Sequence, residues 1–81
     1  METRIAIIGI IVEDTASAEK LNAVLHEYRE YIVGRMGLPY PKRHIQVISL
    51  IVDAPNDAIS ALSGKLGMLP GVNIKTVYSK V

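Results

Sequence analysis

The chain contains no cysteine, no tryptophan and no phenylalanine. Without thiols it forms no disulfide and no thiolate-ligated metal site. Four tyrosines are its whole aromatic complement, so few rings are available to stack on bases or cofactors. An excess of one charge is missing too: nine Lys and Arg stand against eight Asp and Glu, a formal charge of +1. Such balance sets up no long-range field to gather nucleic acid or anionic lipid. No apolar run approaches the roughly 18 residues of a membrane span. Arg4, the run from Ile5 to Val12 and Ala16-Ser17-Ala18 imitate a signal peptide, but Glu13 and Asp14 stand where small neutral residues belong. Cleavage there would also remove the most strand-like segment. The expectation is a soluble, unprocessed, cytoplasmic protein.

What is present is branched aliphatic. Hydrophobic residues make up 49% of 81 positions, which leaves room for one domain over residues 1–81. A chain this short buries only about 60% of its unfolded surface and is marginal alone unless stapled or assembled.

Ile5 to Val12 is a β-branched run, read as a central strand buried on both faces. Glu13-Asp14-Thr15 ends it, with Asp14 or Thr15 placed to cap a helix. Ala18, Leu21, Val24, Leu25, Tyr28 and Ile32 then fall at helical spacings opposite Glu19, Lys20, Asn22, Glu27 and Arg29. This predicts an amphipathic helix of about four turns ending near Tyr31, although Ile32 and Val33 equally suit the next strand. Tyr31 to Leu38 reads as a glycine-interrupted edge strand, stopped by a Pro39-Tyr40-Pro41 loop. His44 to Asp53 is the second strong strand. Asn56 is placed to cap a helix carrying Ile59, Leu62 and Leu66, with Gly67 at its C-terminal cap. Leu69-Pro70-Gly71 has the Pro-Gly order of a type II turn, and Val72 to Ser79 alternates as an edge strand does. The order β-α-β-β-α-β predicts an α+β, ferredoxin-like antiparallel four-stranded sheet with two helices on one face.

That topology leaves a second sheet face. One parity set of the central strands holds Ile8, Ile10, Val12, Ile48, Leu50 and Val52. The other holds Ile5, Ile7, Ile11, Ile45, Val47 and Ile51, with Gly9 and Ser49 among them. Both are apolar, and helices cover only one; which one is open at this stage. Six wet branched side chains forgo about 10 kcal/mol in total, which rivals the roughly 5–15 kcal/mol that holds a domain together. Monomers rarely expose such a patch. The open face is therefore expected to pack on another subunit. The alternatives are a different protein, or the C-terminal residues or the Pro39 to Arg43 loop folding across it.

Residue-level chemistry is sparse. RNA-recognition modules of this topology stack bases on aromatics in the central strands, and these strands have none. Phosphate-handling hydrolases need an anion cradle before the first helix, where this chain has the acidic, glycine-free Val12-Glu13-Asp14-Thr15-Ala16. His26 and Glu30 stand at i,i+4, an ordinary spacing on a solvated helix, and no metal or cofactor is expected. No arrangement points to catalysis. Two regions stand out. Gly34-Arg35-Met36-Gly37 with Tyr40-Pro41-Lys42-Arg43-His44 joins flexible backbone to basic groups, as a pocket for an anionic effector or acidic partner does. A solvated hairpin with glycines at positive φ is the plainer alternative. Ser63-Gly64-Lys65-Leu66-Gly67 is the other; a mid-helix glycine costs about 1 kcal/mol relative to Ala, which suggests close packing or a ligand there.

The segments Tyr31 to Tyr40 and Ala61 to Gly67, followed by Pro70-Gly71-Val72 and Lys75-Thr76, resemble a small bacterial family of iron-only hydrogenase system regulators. The resemblance extends to Val12-Glu13-Asp14 and Val47-Ile48-Ser49-Leu50. It implies an ACT-like ferredoxin fold that pairs through sheets or helices and binds small effectors, in a role near hydrogenase maturation or expression. Arg35, Gly37, Gly64, Lys65 and Gly71 match its motifs as positions only. No residues remain among the six elements and their loops for a helix-turn-helix or ribbon, so if the protein regulates transcription it is expected to do so through a partner. ACT domains often hold an amino acid with a glycine in the first strand-to-helix loop, which this chain lacks.

Together these point to a homo-oligomeric regulatory module, not an enzyme, binding a small anionic effector or a protein partner. Arg35, Gly37, Lys42, Arg43, Gly64 and Lys65 are the expected contacts. A ligand-free scaffolding subunit and a small enzyme with an inter-subunit site are the alternatives. A thermal-shift ligand screen separates the first two, and turnover is required for the third.

Overall fold

The computed structural model of the protein describes residues 2–80. Strand β1 (Arg4–Val12) leads through a short 3-10 turn into helix α1 (Ala18–Glu27). Strands β2 (Ile32–Tyr40) and β3 (Ile45–Ala54) form a hairpin, followed by α2 (Asn56–Gly67) and β4 (Val72–Tyr78). The sheet order is β2-β3-β1-β4 with every neighbour antiparallel, the arrangement expected from the β-α-β-β-α-β order.

Burial alternates along the central strands, and this decides which parity set the helices cover. Ala6, Ile8, Ile10 and Val12 of β1 and Ile48, Leu50, Val52 and Ala54 of β3 are buried. They pack with Leu21 and Leu25 of α1 and Ile59, Leu62 and Leu66 of α2 into one core. The central strands are thus buried on one face of the chain, not both.

The first helix enters as its sequence suggests. Asp14 Oδ1 accepts from the Ala16 N–H at 3.0 Å, and buried Ser17 donates its hydroxyl to the Pro70 carbonyl at 2.6 Å. The α-helix is shorter than its stripe implied. Tyr28 leaves helical geometry (φ −104°, ψ 17°) and a 3-10 turn carries the chain to Tyr31. The helix–strand junction predicted at Asn56 also moves by a residue. Pro55 is the cap: its carbonyl accepts from Ala58 and Ile59 N–H, and no side chain caps the helix. Gly67 is the last helical residue, not a left-handed cap; Met68 closes the helix in right-handed geometry by donating to the Gly64 carbonyl. The left-handed glycine comes later, at Gly71 (φ 67°), where the Leu69 carbonyl accepts from Val72 N–H as in the anticipated Pro-Gly turn.

Strand β2 departs furthest from expectation. Pro39 does not end it: Pro39 pairs with Gln46 and Tyr40 with Ile45. This is tolerated because β2 is an edge strand, where a missing N–H can face solvent. The connection is only a 3-10 turn at Pro41–Arg43 and His44, which adopts the left-handed conformation (φ 55°) that closes it. Neither Gly34 nor Gly37 has positive φ.

Gly64 sits in an open stretch of α2, where an added Cβ would meet nothing within 4 Å. The close packing suggested for it is therefore missing among the described residues. Gly64→Ala is expected to raise stability by about 0.5–1 kcal/mol, because it removes backbone freedom from the unfolded chain without a clash. Urea denaturation measures this, and a loss of stability would contradict it.

Candidate functional site

The sheet face opposite the helices is built by register. Ile7 of β1 lies opposite Ile51 of β3 and Val77 of β4, and residues directly opposite share a face. A register shift between Ile32 and Gly34 adds one residue to β2 at Val33. Beyond this bulge Met36 lies opposite Ser49, Leu38 opposite Val47 and Tyr40 opposite Ile45, which places all three on the open face. The same shift turns Arg35, opposite buried Leu50, towards the helices.

The result is an apolar surface that crosses all four strands. Its centre is solvent-exposed from 38% at Val47 to 46% at Ile7, and Met36 at its edge reaches 71%. Among the described residues neither alternative covering is formed. Ser79 N–H bonds to the Ile5 carbonyl and continues alongside β1, and residues 41–43 stay in their tight turn. Lys75 and Asn73 of β4 and Asp53 of β3 share this side, so the face has a polar edge.

The six residues singled out in the sequence lie in three places. Arg35 reaches α1, where its Nη2 donates to Asn22 Oδ1 at 3.4 Å, and Gly37 follows on the same side of β2. Lys42 and Arg43 are exposed in the hairpin turn. Gly64 and Lys65 lie on α2. Lys65 Nζ is 2.7 Å from Glu27 Oε2 and 5.1 Å from the centre of the Tyr28 ring. Its hydrogen bond to Glu27, and secondly its contact with Tyr28, hold the ammonium above its ordinary pKa. Glu27 therefore already satisfies Lys65 in part, whereas Arg35 has only an amide partner. No hydrogen bond or ion pair joins the three places among the described residues.

Sequence reasoning missed Asn22, His26 and Arg29, which line a cleft with Arg35. Asn22 and His26, at i and i+4, share one side of α1, and Arg29 follows three residues later in the 3-10 turn; that spacing was the available signal. Among the described residues no group of three His, Asp or Glu is placed to hold a metal. No helix among them is long and apolar enough to cross a membrane.

Order of elements, antiparallel topology and a single helical layer define an α+β domain of the ferredoxin-like class. Two solved structures share that fold at low identity. A formyltetrahydrofolate deformylase from Pseudomonas putida KT2440 superimposes with TM-score 0.65 at 13% identity, covering 90% of this chain and 28% of that one. An unknown protein from Galdieria sulphuraria does so with TM-score 0.66 at 15% identity, covering 99% and 47%. The chain belongs to the TM1266-like family, whose model, described as "Iron-only hydrogenase system regulator, putative", matches residues 4–76. Uncharacterized protein TM1266 from Thermotoga maritima is 39% identical with TM-score 0.93, over 98% of this chain and 100% of that one. No curated protein matches.

Proposed function

We propose that the chain is a regulatory module of an iron-only hydrogenase system that works as a homo-oligomer, paired through its open sheet face. The observation that carries this reading is the apolar surface formed by Ile5, Ile7, Ile11, Val47 and Ile51 and widened by Met36, Leu38 and Val77. Monomers seldom expose an apolar patch beyond a few hundred Å². A stable interface buries about 800 Å² per partner, far more than one or two exposed side chains supply, and here eight apolar residues contribute. A second copy is the partner of choice because the centre of the face is uncharged, with Lys75 and Asp53 kept to its polar edge. Such a surface complements itself about a two-fold axis.

The regulatory role comes from the family, and the module acts by binding a small effector or a protein. The net charge of +1 gives little hold on a nucleic-acid backbone.

Native mass spectrometry of the purified chain at micromolar concentration tests the assembly. A dimer or higher even oligomer is the expected result. A monomer throughout that range overturns the reading and leaves the face for a different protein.

A further inference from the structure

Helix α1, the 3-10 turn after it and the edge strand β2 border an open, shallow cleft of about 460 Å³ on the helical side of the sheet, lined by Asn22, Leu25, His26, Arg29, Ile32 and Arg35. Leu25 is buried and Ile32 half-buried, so the floor is apolar. Two guanidiniums and an imidazole make up most of the polar rim. This composition is unusual in a chain whose charges otherwise cancel.

Among the described residues no carboxylate lines the cleft. Arg29 Nη1 donates to the His26 carbonyl at 2.9 Å, which leans the guanidinium against the C-terminal end of α1. Arg35 makes one long bond, 3.4 Å, to the Asn22 amide oxygen. Each guanidinium has five N–H donors, so most remain free. The one ion pair formed by α1 among the described residues, Glu27 with Lys65, links it to α2 instead. Two positive charges thus converge on one concavity without a counter-charge. The bulge at Val33 is what turns Arg35 into it.

We infer that this cleft is the module's effector site and that it takes a small molecule bearing a phosphate monoester. The volume suits a small ligand. Paired guanidiniums match phosphate oxygens in bidentate geometry. Two cations balance a dianion, where a single carboxylate would leave one of them uncompensated. The Leu25 and Ile32 floor accepts an apolar portion next to the phosphate. This deepens the proposed regulatory function, and the site stays open in a face-to-face oligomer because it lies on the helical side of the sheet.

The test is a titration of the full chain with phenyl phosphate, followed by amide chemical shifts, with sodium chloride at matched ionic strength as reference. Saturable shifts at Asn22, His26, Arg29 and Arg35, with a dissociation constant of about 1 mM or tighter, are expected. Arg29→Gln and Arg35→Gln should each weaken binding at least about tenfold, the loss of a charge-assisted hydrogen bond. Lys20→Gln, on another side of α1, should leave it unchanged. Inorganic phosphate should bind the same residues more weakly, since it leaves the apolar floor empty. Shifts that fail to saturate, that sodium chloride reproduces, or that survive both arginine replacements overturn the inference. Binding and mass are read separately: a monomer that binds phenyl phosphate sinks the assembly alone, and an oligomer that does not bind sinks the site alone.

Discussion

Ile7→Lys is expected to turn the oligomer into a folded monomer. Ile7 lies at the centre of the open face, between Ile51 and Val77 on its two neighbouring strands. In an isologous pair each substitution counts twice, once from each subunit. Burying an unpaired ammonium costs several kcal/mol. A net loss of about 4 kcal/mol raises the dissociation constant about a thousandfold. The fold survives because Ile7 is 46% exposed in the single chain, so a lysine there can extend its charge into water. Sedimentation velocity reads the mass, and circular dichroism confirms cooperative unfolding. The melting temperature of the parent should rise with protein concentration, and that of the variant should not. If Ile7→Lys sediments as an oligomer at the parent's concentration, the association does not use this face.

Gly71→Ala should destabilise the fold by about 2–4 kcal/mol. Two effects add. Gly71 has a φ of 67°, which an L side chain adopts only at a cost of roughly 1–2 kcal/mol. An added Cβ would also lie 2.5 Å from Asp14 Cβ and 2.9 Å from Asp14 N. The second contact is with backbone, so no rotamer change relieves it. Nor can the backbone withdraw easily. Glu13 N–H bonds to the Gly71 carbonyl at 2.7 Å, and Ser17 holds Pro70 from the same loop. The Asn73 amide also donates to Glu13 Oε1, which fastens the start of β4 to the end of β1. For a domain with about 5–15 kcal/mol of stability, the loss is a large fraction. Urea denaturation should show a lower midpoint with an unchanged slope. A midpoint within error of the parent would show that this loop yields. Gly64→Ala has the opposite expected sign for the same chemical change, because α2 is open where the Asp14 loop is closed.

The strong elements were legible in the sequence because their signal is local. Runs rich in β-branched residues through Ile5 to Val12 and Ile45 to Val52 marked the central strands, and Leu21, Leu25, Leu62 and Leu66 marked the helices. The glycine needed at Gly71 was visible as Pro-Gly. Strand β2 was less so. Its two glycines and Pro39 looked like interruptions, and only pairing with β3 shows that the strand runs on to Tyr40. Met36, Leu38 and Tyr40 therefore escaped the reading of the open face, since a bulge at Val33 resets the alternation that would have revealed them.

The basic residues show the same division. Arg35 was legible as an isolated cation in a glycine-rich segment. Its neighbours Asn22, His26 and Arg29 are 6 to 13 positions away in the chain, and only the packing of α1 beside β2 brings them to it. Lys65 looked equally free in the sequence, yet Glu27 and Tyr28 of the other helix already engage it.

By itself, the sequence determined the number, type and order of the elements and the existence of two apolar sheet faces. These follow from backbone periodicity, which each segment carries within itself. Tertiary structure decided which face stays open, where β2 changes register and which cations share a cleft. Both parity sets are equally apolar, so only docking of the helices on Ile8, Ile10, Leu50 and Val52 distinguishes them. That choice belongs to contacts between segments, which no single stretch of the chain encodes.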